Sequence, residues 1–284
     1  IYLAPSAQAM TRALYFNCTD NSEAFYNNPD ARTAVAMAID RDALNQIVYQ
    51  GYAEVSRAPV SASCVDMQDA YLDYGVYGTG YDPDAAQALA DSSGLTGRTI
   101  TLSTNGTAEA IATAECIQTD LSAIGVNVVI NNYDSGSWLS YAFDATKAGD
   151  MLVDFTGIPS RTVAQNRSAW YLYALGGGYT TVDFEGKARY EELIDGIMAV
   201  NDDDELHSRN AELVPIQTDA MLWFSIVDMP SAYAHVSDLQ GFETRVITPY
   251  HRTVKERYGE RVQHMAHIYV DLGWRHEYAG LEKL

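Results

Sequence analysis

The chain has 284 residues, 47% of them hydrophobic, with 18 Lys and Arg against 38 Asp and Glu and a net charge of −20. That length buries a real core, and that composition argues for a globular protein and against a disordered one. The charge repels nucleic acid and anionic lipid, and no apolar run approaches the roughly 18 residues of a membrane span.

Residues 1–11 read as an irregular lead-in and 12–18 as a strand. Asn28 is placed to cap a helix, with Pro29 in its first turn and Asp30 at its positive end. Ala34, Val35, Ala38 and Ile39 crowd one face. Asp40 caps a second helix, 42–50, which stops at Gly51. The stretch 52–80 is loop-rich. Tyr52, Tyr71, Tyr74 and Tyr77, with Tyr81 just past its end, cluster there and read either as a ligand-stacking surface or as a packed loop. Asp82 and Pro83 open a helix that ends near Gly94. A strand follows at 98–104, and then a helix at 107–124 with Ala110, Ala114, Ile117, Leu121 and Ile124 on one stripe. Gly125 stops it, and 126–130 is a strand. A short helix at 137–143 precedes an apolar strand at 151–155. Helices are expected at 168–175, 186–200 and 203–219. The segments 223–227 and 232–236 look like paired strands, and 267–272 is the last strand candidate. Strands alternating with helices of this length predict an α/β lobe with a mixed sheet flanked by helices.

Two sets of residues, in order, resemble the extracellular solute-binding proteins of peptide- and nickel-type ABC importers. The first is Tyr15-Phe16-Asn17, then Pro29-Asp30-Ala31-Arg32-Thr33-Ala34, then Ala38-Ile39-Asp40-Arg41 and Gly51. Ala31 departs from the usual Val. The second is Tyr81-Asp82-Pro83 and the strand, long helix ending in Ile124-Gly125, and strand that follow. The resemblance runs from about residue 15 to about 242. It implies a periplasmic-binding-protein-like fold and a C-terminal portion of a longer protein. Residues 1–241 would form the second lobe, and 242–284 a tail returning to the first. The charge is consistent with that division: 242–284 holds seven basic and six acidic residues, whereas the remainder carries −21.

A search for enzyme signatures returns nothing specific. There is no Gly-x-Ser-x-Gly, His-Glu-x-x-His, phosphate loop or dinucleotide fingerprint. No catalytic residue, cofactor or metal is therefore assigned. Gly176-Gly177-Gly178 lacks the lysine of a phosphate cradle, and His264-x-x-His267 lacks a third ligand nearby. Asp202-Asp203-Asp204-Glu205 suits a helix dipole. The three cysteines are Cys18, Cys64 and Cys116, and a Cys18–Cys64 disulfide is expected between two irregular segments.

The resemblance supplies the binding residues. Relatives that bind peptides build the cleft side of this lobe from a Trp opening the short helix and from a Gly-Trp-x-x-Asp-Tyr stretch after the next strand. Trp138 matches the first and reads either as a pocket wall or as core. At the second place this chain has Phe155-Thr156-Gly157-Ile158-Pro159-Ser160-Arg161. Thr156 replaces the Trp, and Pro159 replaces the Asp that grips a peptide's ammonium. Arg161 brings a cation to the loop, for a ligand carboxylate or for a surface Asp. Expected ligand contacts are Trp138, Phe155, Thr156, Ser160 and Arg161. The implied function is the substrate-binding component of an ABC importer, a monomer that takes a peptide-like or other small solute to a membrane permease. It would be extracellular or periplasmic, and membrane-tethered in the complete protein. The alternative is an exported peptide-sensing receptor or enzyme on the same lobe.

Overall fold

The structure is a computed structural model and describes residues 2–62, 64, 67–134, 136–142, 144–156, 184–195, 200 and 202–235. The first strand, β1 (Tyr2–Phe16), leads into α1 (Pro29–Ala38), α2 (Arg41–Tyr49), β2 (Glu54–Val55), a short α3 (Val76–Thr79) and α4 (Pro83–Ser92). Then come β3 (Thr99–Thr104), α5 (Ala108–Ala123), β4 (Asn127–Asn132), α6 (Trp138–Ala142) and β5 (Met151–Thr156). The order closes with α7 (Lys187–Ile194), α8 (Asp203–Ala220) and β6 (Trp223–His235). The sheet has six strands in the order β2-β6-β1-β5-β3-β4. β3 runs parallel to both β4 and β5, while β1 is antiparallel to β5 and β6, so the sheet is mixed.

The helix starts follow from their caps. Asn28, Asp40, Asp82, Thr107 and Asp202 each accept the backbone N–H three residues on. On α5, Ala110, Ala114, Ile117 and Leu121 are all buried, the expected stripe. On α1, Ala31, Ala34, Val35 and Ala38 are buried among other small groups, which lets α4 pack closely. The residues that carry the resemblance also have structural work. Arg32 donates to the carbonyls of Ala220 and Met221 at the end of α8 and to that of Phe25. Those helix-end carbonyls have no intrahelical partner, and a cation suits the negative end of the dipole. Arg41 donates to the Ser56 carbonyl and lies over the rings of Tyr77 and Phe224 at 5.6 and 5.1 Å. Asn17 ties the end of β1 to the carbonyls of Ala145 and Gly149.

Four expectations change. The lead-in at 1–11 is strand from Tyr2 onward, paired with β6 through register shifts. Its irregular composition hid this, because its order comes from a partner more than 200 residues away. The segments 223–227 and 232–236 are not a hairpin. Their described residues, 223–227 and 232–235, belong to one strand, β6, which continues through Pro230 and pairs with β1 on both sides of it. The helix expected at 186–200 ends at Ile194, where the Arg209 guanidinium takes the carbonyls of Leu193 and Asp195. No disulfide joins Cys18 and Cys64. Cys18 packs in the main core, where burial pushes its thiol pKa up, whereas Cys64 packs with Val60 and Met67 in a separate cluster. The expected helix 168–175, the tail 242–284 with its strand candidate, and His264 and His267 lie outside the described residues.

The tyrosine cluster divides. Tyr71 and Tyr77 are buried: Tyr71 donates to the His207 carbonyl, and the Tyr77 hydroxyl accepts the Ser225 N–H. Tyr52, Tyr74 and Tyr81 are exposed. The loop is thus pinned to the core by two of its rings.

Candidate functional site

In an open α/β sheet, ligands collect beyond the carboxyl ends of the parallel strands. Here those ends are Thr104, Asn132 and Thr156. The Thr104 hydroxyl donates to the Asn132 side chain at 2.7 Å, and the Tyr133 N–H donates to the Thr104 carbonyl at 3.0 Å, so the ends of β3 and β4 are locked together. Gly106 then turns the chain into α5 at φ +72, and a Cβ there would stand 2.5 Å from the Tyr133 carbonyl oxygen. Only glycine fits that turn without moving Tyr133.

The turn after β4 is built on Asp134. Its carboxylate accepts the N–H groups of Gly136 and Ser137 and the Ser137 hydroxyl, which hold its pKa below the usual carboxylate range. The turn delivers Trp138 at the start of α6. The Trp138 ring is 5% exposed, and its indole N–H donates to Asp154 on β5 at 3.0 Å. Tyr133 stacks on Tyr141 with ring centroids 4.1 Å apart and planes 21° apart, and lies 6.4 Å from Trp138. Both tyrosines are half-buried. On the other side of β3, Glu109 in the first turn of α5 reaches the buried Arg12 guanidinium at 3.5 Å. Arg12 Nε donates to the Tyr49 hydroxyl. The rim therefore offers a flat aromatic pair, carboxylates held in place by N–H donors or beside a guanidinium, and amide and hydroxyl groups of strand ends.

Of the residues expected to touch ligand, Trp138 lies at this rim, largely beneath the surface and supporting Asp154. Phe155 and Thr156 form the last two positions of β5, in register with Arg12 and Thr11. Ser160 and Arg161 lie outside the described residues. The sequence reading missed Tyr133, Tyr141, Asp134 and Asp154. One signal was available: a lone carboxylate, Asp154, inside the apolar run Met151–Thr156. The tyrosine pair gave none, because the Asp134 turn brings them together.

A concavity of about 250 Å³ lies between α2 and α5, lined in part by Leu44, Ile47, Glu115, Cys116 and Asp120. Asp120 sits roughly 16 Å along α5 from Glu109, well away from the strand ends. Burial and the nearby Asp40 push its pKa up to about 6, although its Oδ2 accepts the Asp40 N–H. Among the described residues, no group of three or more His, Cys, Asp or Glu is placed to hold a metal ion, and no helix is long and apolar enough to cross a membrane.

Comparison with known proteins agrees with this architecture. The chain superposes on DppA, an ABC transporter-associated periplasmic binding protein of Helicobacter pylori in complex with the peptide STSA. The TM-score is 0.70 at 20% identity, over 88% of this chain and 47% of that one. At that identity the likeness is one of fold, and the chain spans about half the length of that relative. It is 30% identical to the glutathione-binding protein GsiB of Pectobacterium atrosepticum over 138 residues, which is 47% of this chain and 25% of that protein. A stretch of 45 residues is 33% identical to glycogen synthase of Streptococcus agalactiae serotype Ia, 16% of this chain and 10% of the enzyme, too short to carry an argument. The fold and the rim define an α/β lobe of the periplasmic-binding-protein kind. The family model described as bacterial extracellular solute-binding proteins, family 5 Middle, matches residues 3–179, and the chain belongs to that family.

Proposed function

We propose that this chain supplies one gripping surface of the substrate-binding component of an ABC importer. The observation that carries the reading is the rim at the ends of β3, β4 and β5, where Tyr133, Tyr141, Trp138 and Asp154 converge in a chain of this family. Stacked rings and fixed polar groups bind a small solute without a nucleophile or cofactor. In this reading Trp138 backs the site from below, and Phe155, Thr156, Ser160 and Arg161 are further expected ligand contacts. The complete protein closes two lobes on its solute, acts as a tethered monomer at the cell exterior, and hands the solute to a membrane permease.

The ligand differs from a standard free-amine peptide. Pro159 stands where peptide-binding relatives place the Asp that pairs with the ligand ammonium, and a buried ammonium without a charge partner is strongly disfavoured. Arg161 favours a ligand carboxylate. Isothermal titration of the complete protein against free-amine di- to pentapeptides tests this. Weak or absent heats are expected; tight binding would remove the ligand assignment.

A further inference from the structure

The sheet changes width at one row of residues. Glu54 of β2, Asp228 of β6, Thr11 of β1 and Thr156 of β5 stand side by side there. One position further out, Met10 pairs with Met229. From there β1 and β6 run on to Tyr2 and His235 with no third strand beside them among the described residues. A two-stranded ribbon is far weaker than a sheet. This ribbon also carries two register shifts, between Pro5 and Gln8 and between Gln8 and Met10. Pro5 and Pro230 contribute no amide hydrogen to it.

The last wide row contains a group that a hydrophobic core does not ask for. Asp228 is 1% exposed. Its Oδ1 accepts the hydroxyls of Thr11 at 2.6 Å and Ser56 at 3.1 Å, and its Oδ2 accepts the Ala62 N–H at 3.0 Å. The Ser61 side chain also donates to it. No cation is among the groups acting on it in the described residues, and burial pushes its pKa up. An apolar residue would be cheaper to bury. What the carboxylate adds is connection. One side chain joins β6 to β1 and to the loop that follows β2, at the row where lateral support ends.

We propose that Asp228 is a positioning residue for lobe closure: with Thr11, Ser56, Ser61 and Ala62 it fixes the root of the β1–β6 ribbon, so that bending occurs beyond this row and not inside the sheet. The proposal rests on reading the complete protein as a two-lobed clamp. The side chain acts on the hinge and not on the solute.

Hydrogen exchange and small-angle scattering on the complete protein without added ligand test it. In the unsubstituted protein, amide protection is expected to fall sharply between residues 11–16 and 2–10, and between 223–228 and 229–235. Asp228→Ala is expected to speed exchange about tenfold or more at the row and in residues 54–62, leaving β3 and α5 unchanged, and to broaden the distribution of molecular dimensions. Asp228→Asn retains one acceptor and is expected to fall between the two. Thr11→Val removes a single hydrogen bond and serves if Asp228→Ala does not fold; it is expected to loosen the row alone. Uniform protection across the row would overturn the proposal. So would a loss of protection in β3 and α5 equal to that at the row, which marks an ordinary core defect. None of these readings needs a bound solute. A protein that shows the step in protection but binds no solute would retire the transport reading and leave the root of the ribbon standing.

Discussion

Arg32 lies in a run that reads from sequence only as a family label, yet it closes the far end of α8 by donating to Ala220, Met221 and Phe25. Its replacement by Met keeps the stem and removes the donors, leaving buried carbonyls unpaired. Arg32→Met is expected to lower the unfolding free energy by about 3 kcal/mol in urea titrations. Asp120 acts in the opposite sense. Its folded pKa of about 6 lies above its ordinary value of 3.8, so the folded chain holds the proton more tightly than the unfolded one. Stability therefore falls as pH rises through that window. Asp120→Asn is expected to add about 1 kcal/mol at pH ~7.5, allowing for solvent screening of a half-exposed group, and nothing at pH ~3.5. Urea midpoints at the two values check both sign and window.

At the scale of elements, the sequence is legible where its signals are local. Asn28, Asp40 and Asp82 announce their helices, because a cap and the N–H it accepts lie three residues apart. The stripe on α5 is likewise written within one helix. The β1–β6 ribbon is not, because each strand takes its order from the other across more than 200 residues, and Pro5 and Pro230 interrupt both patterns. The rim is only half legible for a related reason. Trp138 is marked by its resemblance, but Tyr133 and Tyr141 meet through the Asp134 turn and the tight passage at Gly106. Gly106→Ala forces a side chain into positive φ and against the Tyr133 carbonyl. It is expected to destabilise the fold by about 2 kcal/mol and to weaken solute binding at the rim, seen as a lower thermal midpoint and a raised Kd.

For the whole molecule, the family and the aromatic rim at the strand ends support the proposed reading of a surface that takes a solute. In the proposed two-lobed clamp, closure over a ligand would add affinity, and the rim tyrosines would contribute more than their exposed area suggests. Tyr133→Ala with Tyr141→Ala is expected to reduce solute affinity about tenfold or more, with little change in fold. Native mass spectrometry of the complete protein, purified from rich medium, tests the central claim most directly. A small solute retained by the folded protein, released on denaturation and depleted in the double tyrosine variant is the predicted result. A folded protein that arrives empty and stays empty when offered the medium's small-molecule fraction, or that converts a component of that fraction into product, would contradict it.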